Sequence, residues 1–366
     1  MKKIFCLNFF PERYKDGPVI QRKVFGNRIR FFYKQKRGNY NSCTLLLAKE
    51  IILDEMFFVC LGLSIGDGTN NPGSRSLHYN FCNTNFDLIN LIYQWLKDYF
   101  LIEEKIQFSV TTPITKIEQF TNESLPPLLK NSKKVFKIYK RDRNKKDIIM
   151  IQVGNTIFQY FYLNLFNKLK DNILENKVAR RAFLKGLFAA EGHVKHSVYG
   201  TIESISFAFN NQTEKELAEF VRKCLKKEDI QSKIIAGEIY FCGYEQMTQF
   251  YTLGLMDTHK GKKEKFLKLC KNAKICVYFK KSSINSLWKE TQHKLAKKWG
   301  VCQPMVNRYK KGNFLSLNIA KINFKRNELL KKLAYIKVRS STINKTNCIE
   351  FFIDHLLNDH EVTKNA

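Results

Sequence analysis

The chain is short of acid. Its 366 residues hold 33 Asp and Glu against 63 Lys and Arg, a net charge of +30 with a pI near 9.7. Such an excess goes far beyond what solubility requires and points to a polyanionic partner, either nucleic acid or an anionic membrane surface. Long apolar runs are missing too. None reaches the ~18 residues that a membrane-crossing helix needs, so the membrane reading is weak and no membrane partner is expected. The ten cysteines include no CxxC pair, which removes the spacing that a disulfide framework or a zinc site would use, and most are expected to be small buried hydrophobes. There is no phosphate loop of the GxxxxGK[ST] type and no GxSxG elbow, so a small-molecule enzyme has little support. The first residues, MKKIFCLNFFPERYKDG, lack the long apolar stretch of a secretory leader. The expectation is an intracellular, reduced protein, with cytoplasm, nucleus and organelle not distinguished.

What is present argues for a folded protein. Hydrophobic residues make up 44% and aromatics 13%, and the length suits two or three domains. Two ten-residue stretches carry the pattern: CLGLSIGDGT at 60–69 and LKGLFAAEGH at 184–193. Adding 124 maps Gly62 onto Gly186, Leu63 onto Leu187, Gly66 onto Ala190, Asp67 onto Glu191 and Gly68 onto Gly192. Glycine with glycine or alanine four residues later leaves a shallow stripe on a helix, along which a second helix can approach until the backbones nearly touch. Each stripe ends on an acid followed by a glycine, the residue that ends a helix most readily in the left-handed conformation. A carboxylate at the negative end of a helix dipole is electrostatically adverse, and a bound cation would compensate it. Two carboxylates beside helix-end carbonyls are hard oxygen donors of the kind that suits Mg²⁺.

The duplication extends beyond the two stretches. SLHYNFCNTN alternates like a strand and leads into NFDLINLIYQWLKDYFLI, with helical spacing; IESISFAFNNQ leads into TEKELAEFVRKCLKKEDI, where Thr213 and Glu216 form a capping box. Residues 148–162 match 238–252 at an offset of 90, leaving about 39 extra residues in the first copy. Much of that insertion is KNSKKVFKIYKRDRNKK, residues 130–146, whose Lys137, Lys140, Arg141 and Arg143 are expected to bind DNA. Each copy reads helix, two strands, helix, two strands, helix.

The paired motifs and the αββαββα order resemble the LAGLIDADG homing endonucleases in their single-chain, two-motif form, over roughly residues 50–272. The resemblance implies an α+β fold of pseudo-twofold duplicated units, with two four-stranded antiparallel DNA-binding sheets on the paired motif helices. It implies that Asp67 and Glu191 are the catalytic carboxylates and hold divalent metal, Mg²⁺ with Mn²⁺ as substitute, helped by the backbone carbonyls of Gly66 and Ala190. It implies a double-strand break in a long asymmetric DNA target, cut by a monomer with internal pseudo-twofold symmetry. Lysines near the metal centres of that family make Lys262, in THKGKKEKF, the further catalytic candidate.

The chain continues past the second repeat. Residues 260–339 contain 23 Lys and Arg against Glu264, Glu290 and Glu328, a local excess of +20. Within them, QHKLAKKWGVCQPMVNRYKKG, residues 292–312, resembles a helix-turn-helix of the repressor type. Ala296 stands at the helix crossing, Gly300 at the turn and Val306 at the buried anchor, and Pro304 suits the first turn of the second helix. Gln303, Met305, Asn307 and Arg308 would face the DNA major groove. The expected organisation is an N-terminal extension (1–50), two repeats (51–172 and 173–272), a helix-turn-helix domain (280–315) and a C-terminal helical segment (316–366). The opening Met and the ending EVTKNA, without a His-Asn pair, favour a free-standing protein over an intein. The alternative function is a catalytically inactive DNA- or RNA-binding protein on the same scaffold, an intron maturase or a transcription regulator.

Overall fold

Helix α1 (Glu55–Asp67) starts where the Asp54 side chain accepts the Phe57 amide at 2.8 Å, and the Tyr99 hydroxyl donates to both oxygens of the same carboxylate at 2.7 and 2.8 Å. Phe57 through Ile65 are all buried, so α1 is a core helix over most of its length. The computed structural model describes every residue except 1, 11, 13–18, 34–42, 69–77, 114–135, 142–146, 340 and 356–366. It is an α+β protein of two compact units, one of residues 1–191 with 210–224, the other of residues 192–209 with 225–366. Among the described residues no helix is long and apolar enough to cross a membrane.

In the first unit, residues 1–53 are not a featureless extension. Strands β1 (Lys2–Phe5) and β5 (Glu50–Leu53) pair antiparallel, and β2 (Gln21–Phe25), β3 (Arg28–Tyr33) and β4 (Cys43–Ala48) form an antiparallel meander. Phe10 stacks on Phe31 at 3.6 Å and on Phe161 at 4.6 Å, tying this segment to helix α3 (Thr156–Glu175). The sheet after α1 contains β6 (Tyr79–Asn83), β7 (Ile106–Pro113), β8 (Phe136–Arg141) and β9 (Ile148–Val153) in the order β6-β9-β7-β8, with helix α2 (Phe86–Phe100) between β6 and β7.

The expectation of wholly antiparallel sheets needs one correction, because β7 and β8 run parallel. Strand β8 comes from the insertion, and the 22 residues between β7 and β8 are enough chain to return to the start of a strand, which a tight hairpin cannot do. Helix α4 (Lys177–Glu191), the second motif helix, follows α3 after Asn176, whose side chain accepts the amides of Val178 and Ala179. Phe183 of α4 packs on Phe166 and Phe220.

The second unit opens on β10 (Gly192–His196) and β11 (Ile202–Ala208). After helix α5 (Lys215–Lys227), whose first turns belong to the first unit, come β12 (Lys233–Ile235), β13 (Glu238–Cys242) and α6 (Tyr244–Thr252). The sheet order is β10-β11-β13-β12, antiparallel throughout, and the chain order from α4 onward is αββαββα as expected. Gly68 bridges Phe81 as Gly192 pairs with Phe207, while Phe81 pairs with Ile151 and Phe207 with Ile239. The register therefore sets the second offset at 88, two fewer than the side-chain match of 90, because alternation alone is satisfied equally well by a shift of two.

Helix α7 (Lys260–Lys271) leads into strand β14 (Ile275–Phe279), which pairs with β15 (Phe314–Ser316) and β16 (Leu333–Val338); β17 (Ser341–Ile343) lies on the outer side of β16. Helices α8 (Gln292–Trp299) and α9 (Gln303–Gly312) are inserted between β14 and β15, and α10 (Leu317–Asn323) and α11 (Arg326–Lys332) between β15 and β16. The C-terminal segment thus holds strands β16 and β17 as well as its helices. Its last helix, α12 (Thr346–His355), packs Phe351 and Phe352 on Tyr251 and Tyr244 of α6. Nine cysteines, Cys43 not among them, are free, and five of these are buried. Burial pushes the Cys6 thiol up to about 12, which makes it chemically inert.

Candidate active site

The site is built on the contact between α1 and α4. A methyl group placed on Gly62 would stand 2.1 Å from the Phe183 carbonyl oxygen, and one on Gly186 would stand 1.8 Å from that of Val59. Only glycine lets the two backbones meet in this way, and the contact is reciprocal, as the sequence repeat demands. One turn further on, a methyl on Gly66 would lie 2.4 Å from the Ala190 Cβ and 3.2 Å from the Glu191 Cγ. Gly66 and Ala190 therefore face each other, and the Glu191 side chain passes beside Gly66, the residue before Asp67. At the opposite end Lys185 pairs with Glu55 at 2.9 Å. That pair is partly exposed and contributes little energy, but it joins the same two helices.

Both acids are half-buried at their helix ends. The Asp67 Oδ2 accepts a hydrogen bond of 2.6 Å from the Asn83 amide at the end of β6, a residue the sequence reading did not single out. Nothing in the alternation of SLHYNFCNTN marks Asn83 as a partner, since the link depends on where β6 returns beside the end of α1. The glycine after each acid has a different role from the one expected. Gly68 is extended, with φ −89° and ψ 170°, and Gly192 opens a strand with no positive φ. A Cβ on Gly68 would meet the Ser64 carbonyl oxygen at 2.1 Å. This glycine is needed for close approach as the chain passes from helix to strand, not for left-handed backbone.

Among the described residues no group of three or more His, Cys, Asp and Glu is placed to hold a metal. The donors at the seam are hard oxygens, two carboxylates and helix-end carbonyls, which fit a hard divalent cation and do not fit a closed structural site.

The other expected residues belong to other elements of the chain. Lys262 sits in the first turn of α7 in the second unit, its amide donating to the ring of His259 at 3.3 Å. Burial first, and the Lys262 charge second, hold the His259 and His193 imidazoles below the usual histidine range. Lys137, Lys140 and Arg141 lie on β8, and Arg143 falls outside the described residues. Helices α8 and α9 meet through a short turn in which Gly300 takes φ +64°, with Ala296 and Val306 buried and Pro304 in the first turn of α9. On α9, Gln303 and Asn307 are four residues apart on one side, and the Gln303 amide lies 3.0 Å from His293 Nδ1. Met305 and Arg308 are three apart and line a groove against β14 and β15.

Curated proteins offer no match to the chain. Among solved structures, the chain is similar to I-DmoI in complex with DNA and Ca, at 18% identity over 54% of this chain and 88% of that one, with a TM-score of 0.33. It is similar to an I-DmoI variant with its target DNA and Mn, at 17% identity over 54% and 91%, TM-score 0.33. Full-length DUF199/WhiA from Thermatoga maritima is similar at 13% identity over 76% and 89%, TM-score 0.37. The family model for the LAGLIDADG-like domain matches residues 179–247, which run from the second motif helix through β13 into α6. The segment that carries the second acid is thus similar to the LAGLIDADG-like domain, the family that the paired motifs resemble.

Proposed function

We propose that the chain is a site-specific, metal-dependent endonuclease of the homing type, cutting both strands of a long asymmetric DNA target as a monomer. The observation that carries this reading is the reciprocal glycine contact between α1 and α4, which brings Asp67 and Glu191 to one end of one seam. Close-packed helices need small residues, but packing alone gives no reason for an acid at both helix ends, where the dipole opposes it. In this reading Asp67 and Glu191 hold Mg²⁺, or Mn²⁺ in its place, with the carbonyls of Gly66 and Ala190 beside them. Such ions, held there, would supply Lewis-acid stabilisation of charge on the phosphate and leaving oxygen and would make bound water more acidic. Asn83 holds the Asp67 carboxylate in one orientation, so that it would meet the cation without reorganisation. Lys262 neutralises developing charge. Lys137, Lys140, Arg141 and Arg143 engage DNA phosphates, and Gln303, Met305, Asn307 and Arg308 extend recognition from the α8–α9 pair as a helix-turn-helix.

The test is selection of cleaved sites from a randomised DNA library with Mg²⁺ and with Ca²⁺, for the parent and for Asp67→Asn and Glu191→Gln. Mg²⁺-dependent breaks sharing a long sequence, absent from both variants while DNA binding persists, are the expected result. Salt-sensitive binding with no break in any metal would replace the endonuclease with a binding protein on the same scaffold, a maturase or a regulator.

A further inference from the structure

The C-terminal sheet has a face that the seam does not use and that α9 borders at one end. On β14 the residues Ile275, Val277 and Phe279 are buried, and the alternate residue Tyr278 turns to the other face. The register sets Tyr278 opposite Phe314 of β15 and opposite Tyr335 of β16. The three rings form one pile across three strands: Tyr278 stacks on Phe314 at 5.1 Å and on Tyr335 at 4.6 Å, with interplanar angles of 22° and 13°. Tyr309 of α9 closes the Phe314 end edge-on at 5.3 Å. The Lys337 ammonium lies 5.2 Å from the Tyr278 ring centre.

Beside the pile runs a groove of about 810 Å³ between the end of α7, β14 and α9, walled by Tyr278 and Phe314. Lys271, Lys274 and Arg308 stand on its rim, and none of its lining residues is Asp or Glu. A buried face would not place exposed cations around half-exposed rings, and a phosphate pocket alone would not need the rings.

The geometry points to a binding site for an unpaired stretch of nucleic acid, its bases against the Tyr278–Phe314–Tyr335 pile and its phosphates on Lys271, Lys274 and Arg308. Unpaired bases are the matching chemistry because their π-faces are open to aromatic partners, whereas in a duplex those faces are stacked within the helix and only edges and backbone are presented. The complementarity of charge is direct: a cationic, carboxylate-free groove against a polyanion. The inference does not depend on cleavage at the seam, and of the residues that would hold the strand only Arg308 is shared with the helix that would read base edges in a major groove.

The test uses the full chain and 12-nucleotide fluorescein-labelled oligo(dT) and oligo(U), with a hairpin duplex for comparison, read by anisotropy at fixed salt. Tyr278→Leu is expected to weaken both single strands roughly tenfold or more and to leave the duplex within about twofold. Lys274→Glu, at an exposed position, should weaken single strands with a shallower salt dependence. Photocrosslinking of the parent to a 4-thiouridine-labelled strand should mark Tyr278, Phe314 or Tyr335 in the mass spectrum. Preference for oligo(U) would assign the site to RNA through its 2′-hydroxyls, and equal affinity would assign it to any unpaired strand. The inference is overturned if crosslinks fall only on other elements, or if duplex and single strand lose affinity equally in Tyr278→Leu. Should that variant unfold, Lys274→Glu and the parent crosslinks decide, and unchanged single-strand affinity in Lys274→Glu with crosslinks elsewhere rejects the site.

Discussion

Replacing Gly186 by alanine tests the seam at its tightest point. In an open helix this substitution stabilises by about 1 kcal/mol, because glycine has the greater backbone entropy to lose. Here the added methyl would stand 1.8 Å from the Val59 carbonyl oxygen and 2.8 Å from the Leu63 amide nitrogen, where ordinary contacts begin near 3.4 Å. Both obstacles are backbone, so no side chain can rotate away. The helices must part by more than an ångström along a line flanked by the fully buried Leu61, Leu63, Phe183 and Leu187, and each of those side chains loses dispersion contacts. Overpacking of a well-packed core costs about 1–3 kcal/mol, and a backbone obstacle lies at the upper end. With the propensity gain subtracted, a net loss of about 2 kcal/mol remains. For a unit of about 200 residues that lowers Tm by roughly 4–8 °C. Differential scanning calorimetry of parent and Gly186→Ala provides the measurement. Gly261→Ala controls the sign, since its methyl in the first turn of α7 would meet only the His259 ring at 3.5 Å, and it should be neutral or stabilising. A Gly186→Ala protein that melts at or above the parent would refute the seam.

Three further outcomes follow from the same geometry. Asn83→Ala removes the 2.6 Å hydrogen bond to Asp67, and Phe209 occupies the equivalent register of the second copy, so the loss should fall on one strand. Cleavage of supercoiled plasmid should then accumulate nicked circles, and equal slowing of both strands would count against it. Because His259 is held below its ordinary pKa by burial and then by Lys262, the folded state binds its proton less readily than the unfolded chain does. Its contribution to stability is full above the unfolded pKa of about 6.5 and is lost as pH falls through the lower folded value. Calorimetry between pH 8 and pH 5 should show the second unit losing stability, less steeply in Lys262→Met, and a pH-independent midpoint would contradict the assignment. Asn307→Ala should cost about 1–3 kcal/mol at a single base position of the selected DNA site, measured by binding to single-substituted duplexes; a uniform loss across all sequences would instead mark Asn307 as a phosphate contact.

The sequence alone determined the repeat, and with it the pair of helices, their small-residue stripes and the acid at each end. Those features are local: side chains three and four apart share a helix face whatever surrounds them, so Gly62, Gly66, Gly186 and Ala190 declare a seam before any partner is known. The turn at Gly300 and the strand-helix alternation of the second copy were legible for the same reason. Strand β16, LAYIKV, lies in the segment expected to be helical, and it is separated from β14 by more than fifty residues of helix and loop, so that no local pattern says the two pair. The tertiary structure alone decided that Tyr278, Phe314 and Tyr335 pile into one platform, that β8 runs parallel to β7, that Asn83 reaches Asp67, and that Gly68 is required by the Ser64 carbonyl. Each of these joins groups by register or close approach between segments distant in the chain, and hydrophobic periodicity sets which face of a strand is buried without setting which strand lies beside it.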